Sequence, residues 1–582
     1  MAPSCKTVAI VSLAPLVLLA TGRDRGSVAA GADRPNIVVI LADDLGYGDV
    51  QSLNPARGRI RTPHIDRLAR EGMVFTDAHS GSSVCTPTRY GLLTGRYAWR
   101  TQLQRGVLGD YVTPLIDADR LTVPGLLKQH GYHSACIGKW HLGFTVDGEQ
   151  GRTGDGSGRA AALGAVTRNG PTTRGFDTFA GFHHARMMEA FFEGERVAMQ
   201  VEPEAMLPLL SGRAVEYVSQ RAAAGEPFFL YLALNSPHTP IAPSPSWRGR
   251  SGLGSYGDFV METDGTVGAV LAALQREKIA DNTLVVFTSD NGCSPQAGIA
   301  RLERQGHFVS AGYRGYKSDI WEGGHRVPLV VRWPGKVQAG LHSDQLVCLT
   351  DLMATCAEIL STTLPAQAGE DSESILPALL GKVRGSGRTT IVHHSIQGKF
   401  AIRRGPWKLC LCAGSGGWSQ GAAANPQLYD LAADPAETQN LAAAHPEIVA
   451  ELGALLRSQI AQGRSTPGPR QANDVPVHLG AARATGRCCT PRGQAHFSAA
   501  ASHDAERSTR GKMSQTPARA RLPVYLATPH PRKAGRPCAG WFTYCSSLAS
   551  GVAGAAGAAG WRPRRNAPTS CSSWPMTSRR GT

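Results

Sequence analysis

Two pairs of oxygen-bearing residues, Asp43-Asp44 and Asp290-Asn291, each stand directly after a short apolar run. Three carboxylates and one amide form an oxygen-only set that repels itself unless a cation sits among it. Oxygen donors without Cys or His favour Ca2+ or Mg2+ over zinc. Ca2+ tolerates irregular, higher coordination and is therefore the preferred ion. Taken alone, each pair also fits a turn or a helix cap. A third apolar run leads into Pro237-His238, which adds a side chain able to act as acid or base near neutrality. The stretch Cys85-Thr86-Pro87-Thr88-Arg89 adds a thiol. Pro87 suits the first turn of a helix, and Arg89, four residues beyond the Cys, shares its face. A Cys at a helix N-terminus beside a guanidinium lies in a positive field, suited to an anionic substrate.

The elements that must position these residues can be read from the apolar runs. Residues 36–42, 134–137, 227–234, 283–288 and 327–331 are short, continuous and rich in β-branched or aromatic side chains, as strands buried on both faces should be. Helical patterns separate them at 65–71, 123–130, 212–224, 256–278 and 344–359. The alternation predicts an α/β domain with a mixed, largely parallel sheet between helices. Residues 400–412 and 427–431 read as antiparallel strands before a last helix at 446–462, which together predict a smaller C-terminal antiparallel-sheet subdomain. In open α/β sheets the chemistry gathers at the carboxyl ends of the strands, so the acidic pairs and His238 are expected to share one rim.

With 582 residues, 42% of them hydrophobic and 18% charged, the chain is long enough for a large core and too apolar for general disorder. Its net charge of +16 is misleading: residues 481–582 hold 16 Lys/Arg and only two acids, which leaves 45 basic against 43 acidic residues elsewhere. A neutral body with a basic tail does not make a nucleic-acid protein. Thirteen cysteines without a Cys-x-x-Cys pair argue against a zinc ribbon or a thioredoxin-type site. Seven lie between leader and tail, an odd number that leaves at least one unpaired within the chain. Residues 1–32 have the pattern of an export signal: Lys6, an apolar stretch at 7–20, and Ala30-Gly31-Ala32 for cleavage. No other segment reaches transmembrane length, so the expectation is a periplasmic or secreted protein without stable membrane insertion. The divisions expected are a signal at 1–32, a catalytic domain at 33–385, a C-terminal subdomain at 386–477 and a basic tail at 478–582. That tail is expected to be disordered, and its Arg/Ala/Gly/Pro composition fits a frame-shifted or read-through translation.

Cys85-Thr86-Pro87-Thr88-Arg89 with Leu93-Thr94-Gly95-Arg96 resembles the signature of the type I sulfatases. The likeness continues in order through Asn36-Ile37-Val38…Asp43-Asp44-Leu45-Gly46, Gly138-Lys139-Trp140-His141-Leu142-Gly143 and Arg174-Gly175-Phe176-Asp177. It goes on through Pro237-His238-Thr239-Pro240, Ser289-Asp290-Asn291-Gly292, Lys317…Trp321-Glu322-Gly323-Gly324 and Leu428-Tyr429-Asp430-Leu431. It covers roughly residues 34–477 and implies the fold of the alkaline-phosphatase superfamily.

The resemblance implies that Cys85 is oxidised to Cα-formylglycine by a maturation enzyme. One oxygen of its hydrate would touch the metal and the other would attack sulfur. It further implies Asp43, Asp44, Asp290 and Asn291 as Ca2+ ligands, with Ca2+ ahead of Mg2+. Arg89 would steady the hydrate, His141 would hydrogen-bond the hydroxyl that later expels sulfate, Lys139 and Lys317 would clamp the sulfate oxygens, and His238 would protonate the leaving group. The activity implied is hydrolysis of an aryl or carbohydrate sulfate monoester, the substrate being a sulfated small molecule or saccharide. Two rivals are a phosphodiesterase or phosphonate hydrolase of the same superfamily and a silent sulfate- or carbohydrate-binding descendant. Trp140 and Trp321 are expected to pack behind the site and Cys136 to lie in the core, while Cys410 and Cys412 share one face of a strand. His64, His130, His183, His184 and His307 are expected at the substrate mouth. The stretches 144–170, 183–201 and 296–314 are expected to border it. His393–Gly398 and Gly414–Ser419 resemble segments of bacterial secreted sulfatases acting on carbohydrates or aryl esters.

Overall fold

The computed structural model of the chain describes residues 34–147, 160–382 and 387–479. All of them belong to one compact unit, Met1–Arg487; the second unit, Cys488–Thr582, lies outside the described residues, as do the export signal and nearly all of the tail.

The apolar runs form the middle of a mixed sheet that has ten strands among the described residues. Across it run Leu341–Ser343, Met73–Phe75, Leu329–Arg332, Thr283–Ser289, Asn36–Asp43, Phe228–Pro237, His133–Lys139, Thr178–Phe182, Ala190–Glu193 and Arg196–Gln200. The five strands from Thr283–Ser289 to Thr178–Phe182 are mutually parallel, with antiparallel strands added on both sides. Period-2 alternation splits each central strand between two cores. Ile37, Val39 and Leu41 pack with Leu92, Leu127 and Met353 on one face. Val38, Ile40 and Ala42 pack with Leu207, Val218, Val267 and Val270 on the other. Burying both faces explains why these strands read as unbroken apolar runs rather than alternating ones.

The second sheet is small, four-stranded and antiparallel: Thr390–His394, Phe400–Arg404, Trp407–Cys410 and Gln427–Asp430. The helix Pro446–Gln462 covers it through Leu452 and Leu456. The seven cysteines among the described residues are buried and free; Cys136 sits in the sheet core, and Cys410 and Cys412 share a packed cluster with Trp321.

Two helices differ from expectation. The helix expected from 212 begins at Pro203, because Met206, Leu207 and Leu210 continue its buried stripe past Pro208. Pro208 faces solvent, where water can take up the carbonyl its ring leaves unbonded. The helix expected at 344–359 begins only at Leu352. Before it, Val347–Cys348 pairs with Ala78–His79, and the Asp351 carboxylate accepts the Cys348 N–H at 2.9 Å, closing a tight turn.

Candidate active site

Four neighbouring parallel strands end on one rim and deliver most of the chemistry. In spatial order Thr283–Ser289 leads into Asp290-Asn291, Asn36–Asp43 into Asp44, Phe228–Pro237 into His238, and His133–Lys139 into His141. Their register is tight: Ala42 pairs with Ser289, Asp43 with Pro237 and Gly138 with Ala233. Gly138 is needed here, because a Cβ at its φ of 108° would lie 1.9 Å from the Ala233 carbonyl oxygen. Asp44 and His141 are non-glycine residues in the left-handed region, at φ 66° and 56°. Such strain persists where surrounding bonds over-determine the backbone. The Asp44 N–H donates to Asp290 Oδ1 at 3.2 Å, and the His141 N–H to the His183 carbonyl at 2.8 Å.

The helix Cys85–Thr94 places its first residue against this rim. Ligand atoms of Cys85, Asp43, Asp44 and His238 lie within 4.8 Å of one another. One turn on, Arg89 donates to Asp290 Oδ2 through Nε (3.1 Å) and Nη2 (2.7 Å), and to the Lys139 carbonyl. Lys139 Nζ is 2.5 Å from Asp43 Oδ2, and Lys317 Nζ is 2.7 Å from Asp44 Oδ1. The structure thus links eight of the ten residues named from the sequence in one connected set of polar contacts, with Cys85, the ninth, within 4.8 Å of Asp43, Asp44 and His238. His141, the tenth, stands two residues past Lys139 and packs on His184, whose ring centroid is 4.4 Å from its own.

The electrostatics of this group ask for a cation. Burial and the charge of Asp43 push the Asp290 carboxyl up, to about 7, against the pull of Arg89 and Lys139. Asp43 goes the other way: burial would raise it, but Lys139, His238, Arg89 and Lys317 together hold it well below the usual carboxylate range. Asp43 Oδ1 and Asn291 Oδ1 are buried without a hydrogen-bond partner. Two orphaned oxygens from adjacent strand ends, with Asp44 and Asp290 beside them, form a donor set that fits a hard cation. Three carboxylates face three cationic side chains, Arg89, Lys139 and Lys317. A divalent ion would therefore leave the pocket net positive and receptive to an anion.

His141 is tuned differently. Its Nε2 donates to the Leu108 carbonyl at 2.8 Å, which leaves the lone pair on Nδ1, an atom that is buried and unpartnered. Burial, then the neighbouring His184 and Lys139, hold the ring well below its ordinary pKa, so it is neutral. His238 donates through Nδ1 to the Thr239 carbonyl (2.5 Å) and turns Nε2 toward Asp44 Oδ2 at 3.6 Å.

The other sequence expectations divide. Trp140 and Trp321 are buried behind the site, bonding the Gly143 carbonyl and Gln427. His183 and His184 pack around His141. His64, His130 and His307 serve elsewhere: His64 lies against the helix Ser255–Arg276, His130 bonds the Leu126 carbonyl, and His307 is buried against Asp49 at 2.7 Å. Sequence reasoning missed a second buried cluster of His79, Glu322, His325 and His393, whose ligand atoms also lie within 4.8 Å of one another. Here the chain supplies its own cation. Lys408 Nζ lies 3.0 Å from Glu322 Oε1, 2.8 Å from Glu437 Oε1 and 3.0 Å from His325 Nε2. The signal was the set of ionisable residues on runs otherwise filled by core side chains, above all His393-His394 and Lys408.

Comparison with known proteins follows the same outline. The sulfatase family model matches residues 35–362, and the model described as N-sulphoglucosamine sulphohydrolase, C-terminal, matches 315–465. The chain is 32% identical over 512 residues to an N-acetylgalactosamine-6-O-sulfatase of Bacteroides thetaiotaomicron, covering 77% of this chain and 98% of that protein. It is also 32% identical over 508 residues to human arylsulfatase A, covering 80% and 95%. A solved structure from glycosaminoglycan metabolism by Bacteroides thetaiotaomicron superposes with a TM-score of 0.66 at 31% identity, covering 73% and 99%. An enzyme crystallised with a neocarrahexaose superposes with a TM-score of 0.59 at 25% identity, covering 75% and 95%.

Proposed function

Because this chain belongs to the sulfatase family, within the alkaline-phosphatase-like superfamily, and hydrolyses sulfuric esters, we propose that its substrate is a sulfated saccharide and its nucleophile is residue 85, oxidised to Cα-formylglycine. What supports this reading most is the meeting of the Cys85 helix terminus with the oxygen set Asp43, Asp44, Asp290 and Asn291, inside a ring of three cationic side chains.

Asp43, Asp44, Asp290 and Asn291 would hold Ca2+. When bound, Ca2+ supplies Lewis-acid charge to the sulfuryl oxygens. The chain's own residues do the rest. Lys139 and Lys317 hold the sulfate oxygens, and Arg89 fixes the hydrate of residue 85. One hydroxyl of that hydrate passes its proton to a carboxylate beside residue 85, Asp43 or Asp44, and its oxygen attacks sulfur as the ester oxygen departs; His238 gives the departing oxygen a proton from Nε2. The second hydroxyl then loses its proton to Nδ1 of His141, the carbonyl re-forms, and the C–O bond to sulfate breaks. A serine ester lacks that exit and would need water to attack sulfur. The lone pair on His141 Nδ1 suits it to the second step, because its other nitrogen is committed to Leu108.

The saccharide reading draws on the relatives, one named an N-acetylgalactosamine-6-O-sulfatase and another crystallised with a neocarrahexaose. Export to the periplasm or beyond belongs to the same proposal and rests on the pattern of residues 1–32. Among the described residues no helix is long and apolar enough to cross a membrane. The direct test compares rates on an aryl sulfate and an aryl phosphate diester. Faster sulfate hydrolysis is expected, and faster diester hydrolysis would move the site to phosphoryl chemistry.

A further inference from the structure

Trp418 stands out because it is 44% exposed, one of two large apolar side chains left in water among the described residues. The backbone that displays it is tied down. Its backbone N–H donates to Ser318 Oγ (2.9 Å) and Asp319 Oδ1 (3.1 Å), and the next residue, Ser419, bonds the same carboxylate. Gln397 and Ser395 donate to the carbonyls of Gly417 and Gly416. Asp319 is buried, and its other oxygen accepts the Tyr316 N–H at 2.9 Å. One carboxylate therefore ties the loop that displays Trp418 to the turn that carries Lys317.

That turn is the rim of the active site. Of the ten site residues, Lys317 and His238 have the most exposure, 6% and 9%, and none of the others exceeds 2%. The site is therefore least closed at Lys317 and His238. Tyr316, the residue before Lys317 in the chain, lines a groove of about 390 Å3 together with Trp418, Pro295, Ile299 and Ala300, with Arg301 and Ser419 at its polar edge. A flat indole with a tyrosine, backed by aliphatic carbon and edged by polar groups, suits the C–H face of a pyranose ring whose hydroxyls reach the edge. A tryptophan has only two side-chain torsions to fix, and a tethered loop adds little further ordering on binding.

We propose that Trp418 and Tyr316 form a stacking platform for a sugar ring adjoining the sulfated residue, so that the enzyme recognises a chain rather than a single sulfated sugar. This rests on the saccharide reading above. The test uses the full chain and its variants Trp418→Ala and Trp418→Phe. Each is assayed on 4-nitrophenyl sulfate and on an oligosaccharide carrying 6-sulfated N-acetylgalactosamine, with other sulfated galactans and glucosamines as alternates. For Trp418→Ala the ratio of kcat/KM on the oligosaccharide to that on the aryl sulfate should fall about tenfold, mainly through KM. Trp418→Phe should keep that ratio within about threefold, because a ring remains. An unchanged ratio in Trp418→Ala, including an equal loss on both substrates, overturns the platform. The saccharide reading fails separately: the unaltered enzyme would then hydrolyse the aryl sulfate and no sulfated saccharide.

Discussion

His394 lies under the Cys85 helix, in a position where acid should act measurably. It is buried beside a small void lined by Ser82, Pro87, Gly91 and Trp99, its ring tilted on Phe400 at 4.7 Å, and its Nε2 has no partner. Burial pulls its pKa down from 6.5 to about 4, only partly countered by a backbone bond at Gly398. The folded form therefore prefers the neutral ring. The stability this contributes is present in full above pH 6.5 and is lost as pH falls, until the folded ring itself titrates near 4. Between pH 7 and pH 5 the unfolded chain gains a proton that the folded chain refuses, which costs about 2 kcal/mol. Replacing His394 with Phe keeps the ring, removes an orphaned nitrogen and removes the titration. Denaturant melts of both proteins should agree within about 1 kcal/mol at pH 7. At pH 5 the variant should be the more stable by about 2 kcal/mol. Comparing the two proteins cancels every other titrating group, including the many buried carboxyls. A difference that is the same at both pH values would refute the reasoning.

Two further outcomes follow from the site and its neighbour. Ca2+ at about a hundredfold over its dissociation constant should stabilise the chain by about 2.7 kcal/mol, read as a rise in Tm that a chelator reverses. Asp290→Asn should lose most of that rise, and an equal rise in both proteins would place the ion elsewhere. Removing the ammonium of Lys408 with Lys408→Met should cost about 3–5 kcal/mol in a denaturant melt, because Glu322 and Glu437 are left facing each other in the interior. The added change Glu437→Gln should recover part of the loss, since an amide can both accept the Glu322 N–H and donate to its carboxylate. A loss below about 1 kcal/mol would mean that water reaches the cluster.

The rim of the site was legible because parallel central strands advertise themselves as unbroken apolar runs, and the residue after each run marks a strand end. Asp43, Asp290 and His238 could be set on one edge without knowing the order of the strands. Lys317 could not: it arrives on a turn between no two strands of the central group, and only the family resemblance marked it. Helix ends were legible where caps agree with the buried stripe, as in Pro446–Gln462. They were misread where local chemistry cut across the pattern, as at Asp351, whose carboxylate closes a turn inside an apolar stretch. In the network around Lys408 the ionisable residues on core runs were visible, but their pairing was not. His79 and His325 meet at 3.1 Å although 246 residues apart, and nothing in either neighbourhood specifies the other. The platform at Trp418 falls between these cases: the run Gly414–Ser419 is visible in the sequence, but its attachment to Asp319 is a tertiary fact.

What residue 85 has become decides whether the site can turn over a sulfate ester at all. A tryptic peptide spanning it, taken from enzyme that hydrolyses an aryl sulfate, should carry an aldehyde in place of the thiol, in a fraction that tracks specific activity across preparations. A peptide that is thiol throughout, from a preparation with undiminished turnover, would contradict the assigned nucleophile.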